Sequence, residues 1–183
     1  MNRQKRLLLI VSALLLSVFI CRGWLYRQLI DYRTIGQRNP VAAGAGLQKM
    51  IDERAETQTN DIDQIVSLSL SITAEHLHFS TAKCGTDPNA LVQSKAAHCV
   101  GYAAFFTSCC NQLIHKNGLQ GKWIAEHQKG QLYVLGFNIH RLSPSAFWKD
   151  HDFVLVKNQQ TREVIAIDPT VDDYLMVDRV RYR

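Results

Sequence analysis

From Cys99 to Ile114 the chain runs sixteen residues without a charged side chain: Cys-Val-Gly-Tyr-Ala-Ala-Phe-Phe-Thr-Ser-Cys-Cys-Asn-Gln-Leu-Ile. As a helix this segment is apolar nearly all round, and such a helix is stable only when neighbours cover every side. It predicts a domain built around one central helix. Asn117-Gly118 ends the segment in the manner usual for helix C-termini. Downstream the pattern changes period. Lys122–His127 and Gln131–Ile139 read as strands with Lys129-Gly130 as their turn, and His151–Lys157 and Glu163–Asp168 flank Asn158-Gln-Gln-Thr-Arg as a hairpin. Upstream, Asn60 or Asp61 caps a helix running to about His78, with Ile62, Ile65, Val66, Ser69, Ile72, Thr73 and Leu77 at helical spacing. Cys84 to Asn89 reads as a loop, with a short helix from Asn89. Helices first and an antiparallel sheet afterwards make an α+β domain, the central helix packed on the sheet.

The N-terminus carries a second strong pattern. Arg3, Lys5 and Arg6 precede an apolar run from Leu7 to Cys21 broken only by Ser12 and Ser17. A basic start followed by an apolar run is what export machinery reads. Fifteen residues make roughly 22 Å of helix against a hydrocarbon core of about 30 Å. Arg22 and Arg27 are placed to snorkel, and Trp24 and Tyr26 suit an interface, which stretches the span towards Leu25. The reading is a retained signal anchor over residues 1–30, the N-terminus in the cytoplasm and the following domain outside. A cleaved signal peptide is the rival, but Cys21-Arg22-Gly23 has arginine in its middle and Trp24 after it. A buried core helix is a third reading. Residues 31–59, broken by Gly36, Asn39-Pro40, Gly44 and Gly46, read as a polar spacer with a short helix near Leu47–Arg54. The domain then occupies residues 60–183.

The net charge of +5 is a property of the N-terminus. Residues 1–40 hold seven Lys/Arg and one Asp, and the remainder holds fourteen Lys/Arg against fifteen Asp/Glu. A nearly neutral domain excludes a broad basic face for nucleic acid. No nucleotide or calcium-loop motif is present, so no cofactor is expected.

Chemistry points to a cysteine. Cys99 opens the central helix, where free N–H groups and the macrodipole favour a thiolate. His151 opens one strand of the hairpin and Asp168 closes the other, so antiparallel pairing sets these ends side by side. A free cysteine is commonly a small core residue, an Asp-Pro can simply end a strand, and a histidine can sit exposed at one; their joint register carries the reading. Cys99-Val-Gly-Tyr-Ala, His151-Asp-Phe-Val-Leu-Val and Ile167-Asp168-Pro169-Thr170 resemble, in that order, the transglutaminase-like branch of the papain-like cysteine hydrolases. The resemblance covers about residues 60–175. Ala97-His98 departs from it, since the family often has glycine there.

The resemblance implies a papain-like core and thiol acyl transfer on a peptide or protein amide. Cys99 attacks the carbonyl, His151 moves the proton and Asp168 holds His151. Gln93, six residues before Cys99, matches the spacing of the oxyanion glutamine of papain-like enzymes. The alternatives are a catalytically idle domain of the same fold that binds a peptide or partner protein, and a structural membrane protein whose resemblance is accidental. A metal reading draws on His76, His78, Cys84, His98, Cys99, Cys109 and Cys110. It is set aside, because no Cys-x-x-Cys occurs and Cys109 and Cys110 lie roughly 15 Å along the helix from Cys99. Cys84 with Cys109 or Cys110 is a candidate disulfide in an exported domain. His115, His127 and His140 read as surface or loop residues.

Overall fold

The computed structural model describes residues 3–183 apart from 56, 57, 83, 143, 144, 146 and 147. The central helix stands where the sequence put it. It spans Cys99–Lys116 and buries every side chain from Tyr102 to Cys110, with Leu113 and Ile114. It is α6 in chain order, after α1 (Arg3–Ile20), α2 (Arg22–Leu29), α3 (Ala45–Arg54), α4 (Ile62–His76) and α5 (Pro88–Ser94). Asp61 and Asp87 cap α4 and α5 by accepting the amides of Asp63 and Asn89, which satisfies N–H groups that lack helical partners.

The sheet comprises β1 (Ile30–Gln37), β4 (Trp123–Val134), β5 (Phe137–Asn138), β6 (His151–Asn158), β7 (Val164–Ile167) and β8 (Arg181–Tyr182). Its order is β7-β6-β4-β1-β8, with β5 on the end of β4. A separate parallel pair joins β2 (His78–Phe79) to β3 (Ala96–Ala97). Alternation along the strands divides the sheet into two faces. Trp123, Ala125, Val154, Val156, Ile165 and Ile167 pack with α3, α4, α5 and α6 in the main core. Phe153, Leu155, Ala166 and Tyr32 form a smaller cluster with Val180. The fold is α+β, with helices gathered on one face of a largely antiparallel sheet; only the β1–β8 pair in it is parallel.

Three expectations are corrected. The spacer is part of the domain: β1 pairs with β4 from Ile30↔Val134 to Gln37↔Gln128, and α3 buries Leu47 and Ile51. Asp31 and Arg33 gave the stretch a polar look, yet Asp31 is buried against Arg181. Lys129-Gly130 is no turn either. β4 runs through it and turns at Leu135-Gly136, both at positive φ. Gly130 is a packing residue: a Cβ there would lie 2.5 Å from the Phe153 ring and 2.9 Å from the Arg33 carbonyl oxygen. Finally, Cys84, Cys109 and Cys110 are free thiols, so the candidate pairing is not formed.

The N-terminal segment differs from one straight anchor. Among the described residues no single helix is long and apolar enough to cross a membrane. By length and composition α1 and α2 pass only as a pair, and they are bent by 69°. Arg22, expected to snorkel, donates its Nε to the Leu175 carbonyl (2.8 Å) and Nη1 to that of Phe19 (2.9 Å), which fastens α2 to the domain. No side chain of α1 is buried.

Candidate active site

α6 starts at Cys99 because His98 caps it: the His98 Nδ1 accepts the Val100 amide at 3.3 Å. Cys99 therefore occupies the first helical position, beside N–H groups with no partner inside the helix. Gly101 lets this turn close onto its neighbours, since a Cβ would lie 2.8 Å from that of Ala97.

The hairpin delivers the other two residues. β6 pairs with β7 from Lys157↔Val164 to Val154↔Ile167, which brings the returning chain towards the His151 end of β6 and leaves Asp168 just beyond β7. Asp168 then caps α7 (Pro169–Leu175): its Oδ1 accepts the amides of Thr170 (3.0 Å) and Val171 (3.2 Å), and Pro169 at the first position needs no partner. Its Oδ2 accepts His151 Nε2 at 2.6 Å and the Tyr32 hydroxyl at 2.7 Å. Asp168 is wholly buried. Burial alone would raise its pKa, but the His151 charge and hydrogen bond, the Tyr32 hydroxyl and the Val171 amide hold it below the ordinary carboxylate range. With Nε2 engaged, Nδ1 of His151 is left for Cys99. Burial works against charging His151, yet the Asp168 carboxylate and the hydrogen bonds that the ring donates to Asp168 and Cys99 raise its pKa well above the usual imidazole value.

Cys99 and His151 share a cavity of about 220 Å³ with Phe79, Leu132, His140, Trp148, Asp150 and Thr170. Pockets for drug-sized ligands run from about 300 Å³ upward. A space of this size takes one side chain or a short acyl group. α7 ties the parts together: Tyr102 of α6 donates to Asp173 at 2.7 Å, and the Phe79 amide donates to the Tyr174 hydroxyl at 2.9 Å.

The structure thus brings Cys99, His151 and Asp168 together. It does not bring Gln93 to them. Gln93 is exposed near the end of α5 and does not line the cavity. Being two residues after Leu91, which the core takes, it faces away on a helix. The cysteines deeper in α6 are unlike Cys99: burial raises the thiol pKa of both, that of Cys110 to about 12.

Sequence reasoning missed Tyr32, which lay in the supposed spacer; the alternation Ile30, Tyr32, Thr34 was the available signal. It also misplaced two histidines. His140 is buried, with Nδ1 2.6 Å from the Trp148 carbonyl oxygen. His127 is 3% exposed and its Nε2 lies 2.7 Å from Oδ2 of the fully buried Asp152, which Arg38 grips with Nε and Nη2. Asp152 follows His151 and points to the opposite face, so this cluster braces the strand that presents His151. Among the described residues no group of three or more His, Cys, Asp or Glu is placed to hold a metal ion. In comparisons with known proteins, no family model and no curated sequence matches this chain.

Proposed function

We propose that the chain is a transglutaminase-like thiol hydrolase or acyltransferase of papain-like fold, acting on a peptide or protein amide. One observation carries the reading: Asp168, His151 and Cys99 are linked in series, the cysteine at a helix N-terminus and facing a cavity. That is the arrangement a nucleophile, a base and an orienting acid require. The Cys99 sulfur attacks the substrate carbonyl, and the His151 imidazolium gives its proton to the leaving amine. Water or an amine then attacks the thioester, with His151 taking a proton from it, and sulfur departs as thiolate. Backbone N–H groups at the start of α6 are the donors to the oxyanion; Gln93 has no part in it.

The reading is tested with p-nitrophenyl acetate. Release of about one equivalent of p-nitrophenolate, with a gain of one acetyl on the Cys99 peptide by mass spectrometry, is expected, and Cys99→Ser should abolish both. No acetyl on Cys99 would move the chain to the idle, peptide-binding domain.

We infer also that residues 1–30 anchor the chain to a membrane, with the domain on the extracytoplasmic side. Support comes from the basic start and from an apolar helix that buries nothing against the domain. The full-length chain should stay with membranes through high salt and alkaline carbonate. Release by carbonate, or a mature chain beginning near Trp24, would refute the anchor.

A further inference from the structure

A chain of hydroxyl groups runs from α2 to the carboxylate of the proposed triad. The Tyr32 hydroxyl has one proton and gives it to Asp168 Oδ2 at 2.7 Å. Its oxygen, 2.6 Å from the Tyr26 hydroxyl, therefore accepts, and Tyr26 is the donor. Tyr32 is fully buried, edge-on to His151 and to Phe153 with ring centroids 5.9 and 5.2 Å away. We propose that Tyr32, seconded by Tyr26, is a positioning residue for Asp168, which makes α2 a working part of the site.

The proposal rests on the triad reading and deepens it. Asp168 Oδ1 is held by α7, so the rotation of the carboxylate about that cap is set by what Oδ2 meets. His151 alone would let the pair move together; the Tyr32 hydroxyl, locked in the core, gives Oδ2 a fixed partner. Linked donors also polarise one another in a buried setting. α2 is anchored for this task at the far end of the helix that Asp168 caps, through Arg22 on Leu175 and Arg27 on the Arg179 carbonyl (3.5 Å). The ionisable groups that face Asp168 are His151 from β6, Tyr32 from β1, Tyr26 from α2 and Asp172 from α7; Cys99 from α6 faces His151.

Tyr32→Phe keeps the ring and removes only the donor. The test is the rate at which iodoacetamide alkylates Cys99 between pH 5 and 9, followed by peptide mass on the full-length chain in a non-ionic detergent. Loss of a hydrogen bond to a charged group should slow alkylation roughly tenfold near pH 6, with convergence on the wild-type rate by about pH 9, where ordinary thiols are ionised unaided. A merely structural role would change the rate at every pH. Tyr26→Phe should shift the profile the same way by a smaller factor. If His151→Ala slows Cys99 at pH 6 while Tyr32→Phe leaves the profile untouched, the positioning role is overturned and the triad survives. If His151→Ala also changes nothing, the triad itself falls. Should Tyr32→Phe unfold, seen as labelling of Cys109 and Cys110, an unshifted Tyr26→Phe profile overturns the proposal.

Discussion

Replacing His151 by alanine is expected to slow the labelling of Cys99 at pH 6 by about ten- to a hundredfold, and to leave Cys84 unchanged. The size follows from the loss of a charged hydrogen-bond partner. An ordinary thiol, with pKa about 8.5, is only about 0.3% thiolate at pH 6. Asp168 and Cys99 raise the His151 pKa above its usual value, so at pH 6, which lies below even that usual value, it offers the sulfur a positive partner. Without that charge the helix terminus remains beside Cys99, together with the more distant attraction of the Arg38 guanidinium. Loss of a hydrogen bond to a charged partner, worth about 1.5–3 kcal/mol, corresponds to the range given. Cys84 is the control: it lies outside the core, and its Sγ donates to the Ala82 carbonyl at 3.0 Å. Equal labelling of the two thiols at pH 6 in both proteins would end the case for a thiolate–imidazolium pair.

Asp168→Ala should be the most destabilising single substitution in the site, at about 3–5 kcal/mol, the usual cost of deleting one partner of a buried charge pair. It strips the cap from α7, leaves the Tyr32 hydroxyl without its acceptor in the core and removes the partner of His151. At about 2–4 °C per kcal/mol for a chain of this length, the melting temperature should fall by roughly 10 °C. The loss should depend on pH with a definite sign. The Asp168 carboxyl is held below its ordinary value, so its contribution is present above about pH 4 and disappears as pH falls through the depressed value. His151 is held above its ordinary value, so its contribution is complete below about pH 6.5 and fades as pH rises through the raised value. The melting-temperature gap between wild type and variant should therefore be widest between about pH 4 and 6.5 and narrow on both sides. A gap independent of pH would mean that the charge of the pair contributes nothing and that Asp168 acts only as a cap.

The elements that were legible in the chain are those whose signal is local. Cys99–Ile114 has no charged residue, so burial on all sides was its one stable outcome. Asp61 and Asp87 are caps wherever a helix follows them. The hairpin turn at Asn158 is held by its own side chain, whose Oδ1 accepts the amides of Gln160 and Thr161. Three of the site residues were legible for the same reason, since Cys99, His151 and Asp168 each stand at the end of an element and element ends are written in capping and turn residues.

What only the tertiary structure decided depends on partners far along the chain. Residues 31–37 were read as spacer because the stretch is polar and broken by Gly36 and Asn39-Pro40; pairing with β4 makes it a strand, and Arg181, 150 residues after Asp31, makes that aspartate a buried one. Gly130 was read as a turn because glycine favours turns, while what excludes a side chain there is a ring from β6. His127 and Asp152 were each unremarkable in sequence and are buried because they face one another across β4 and β6, with Arg38 closing the pair. Tyr32 reaches Asp168 across 136 residues of chain, and Tyr26 joins it through the Tyr32 hydroxyl. Composition, periodicity and capping determined the central helix, the capped helices and the hairpin, and with them that Cys99, His151 and Asp168 stand at element ends. The second layer of hydrogen bonds, which sets their charge and orientation, was decided by packing alone, because a polar side chain becomes a buried partner only when the fold removes water from it and supplies another in its place.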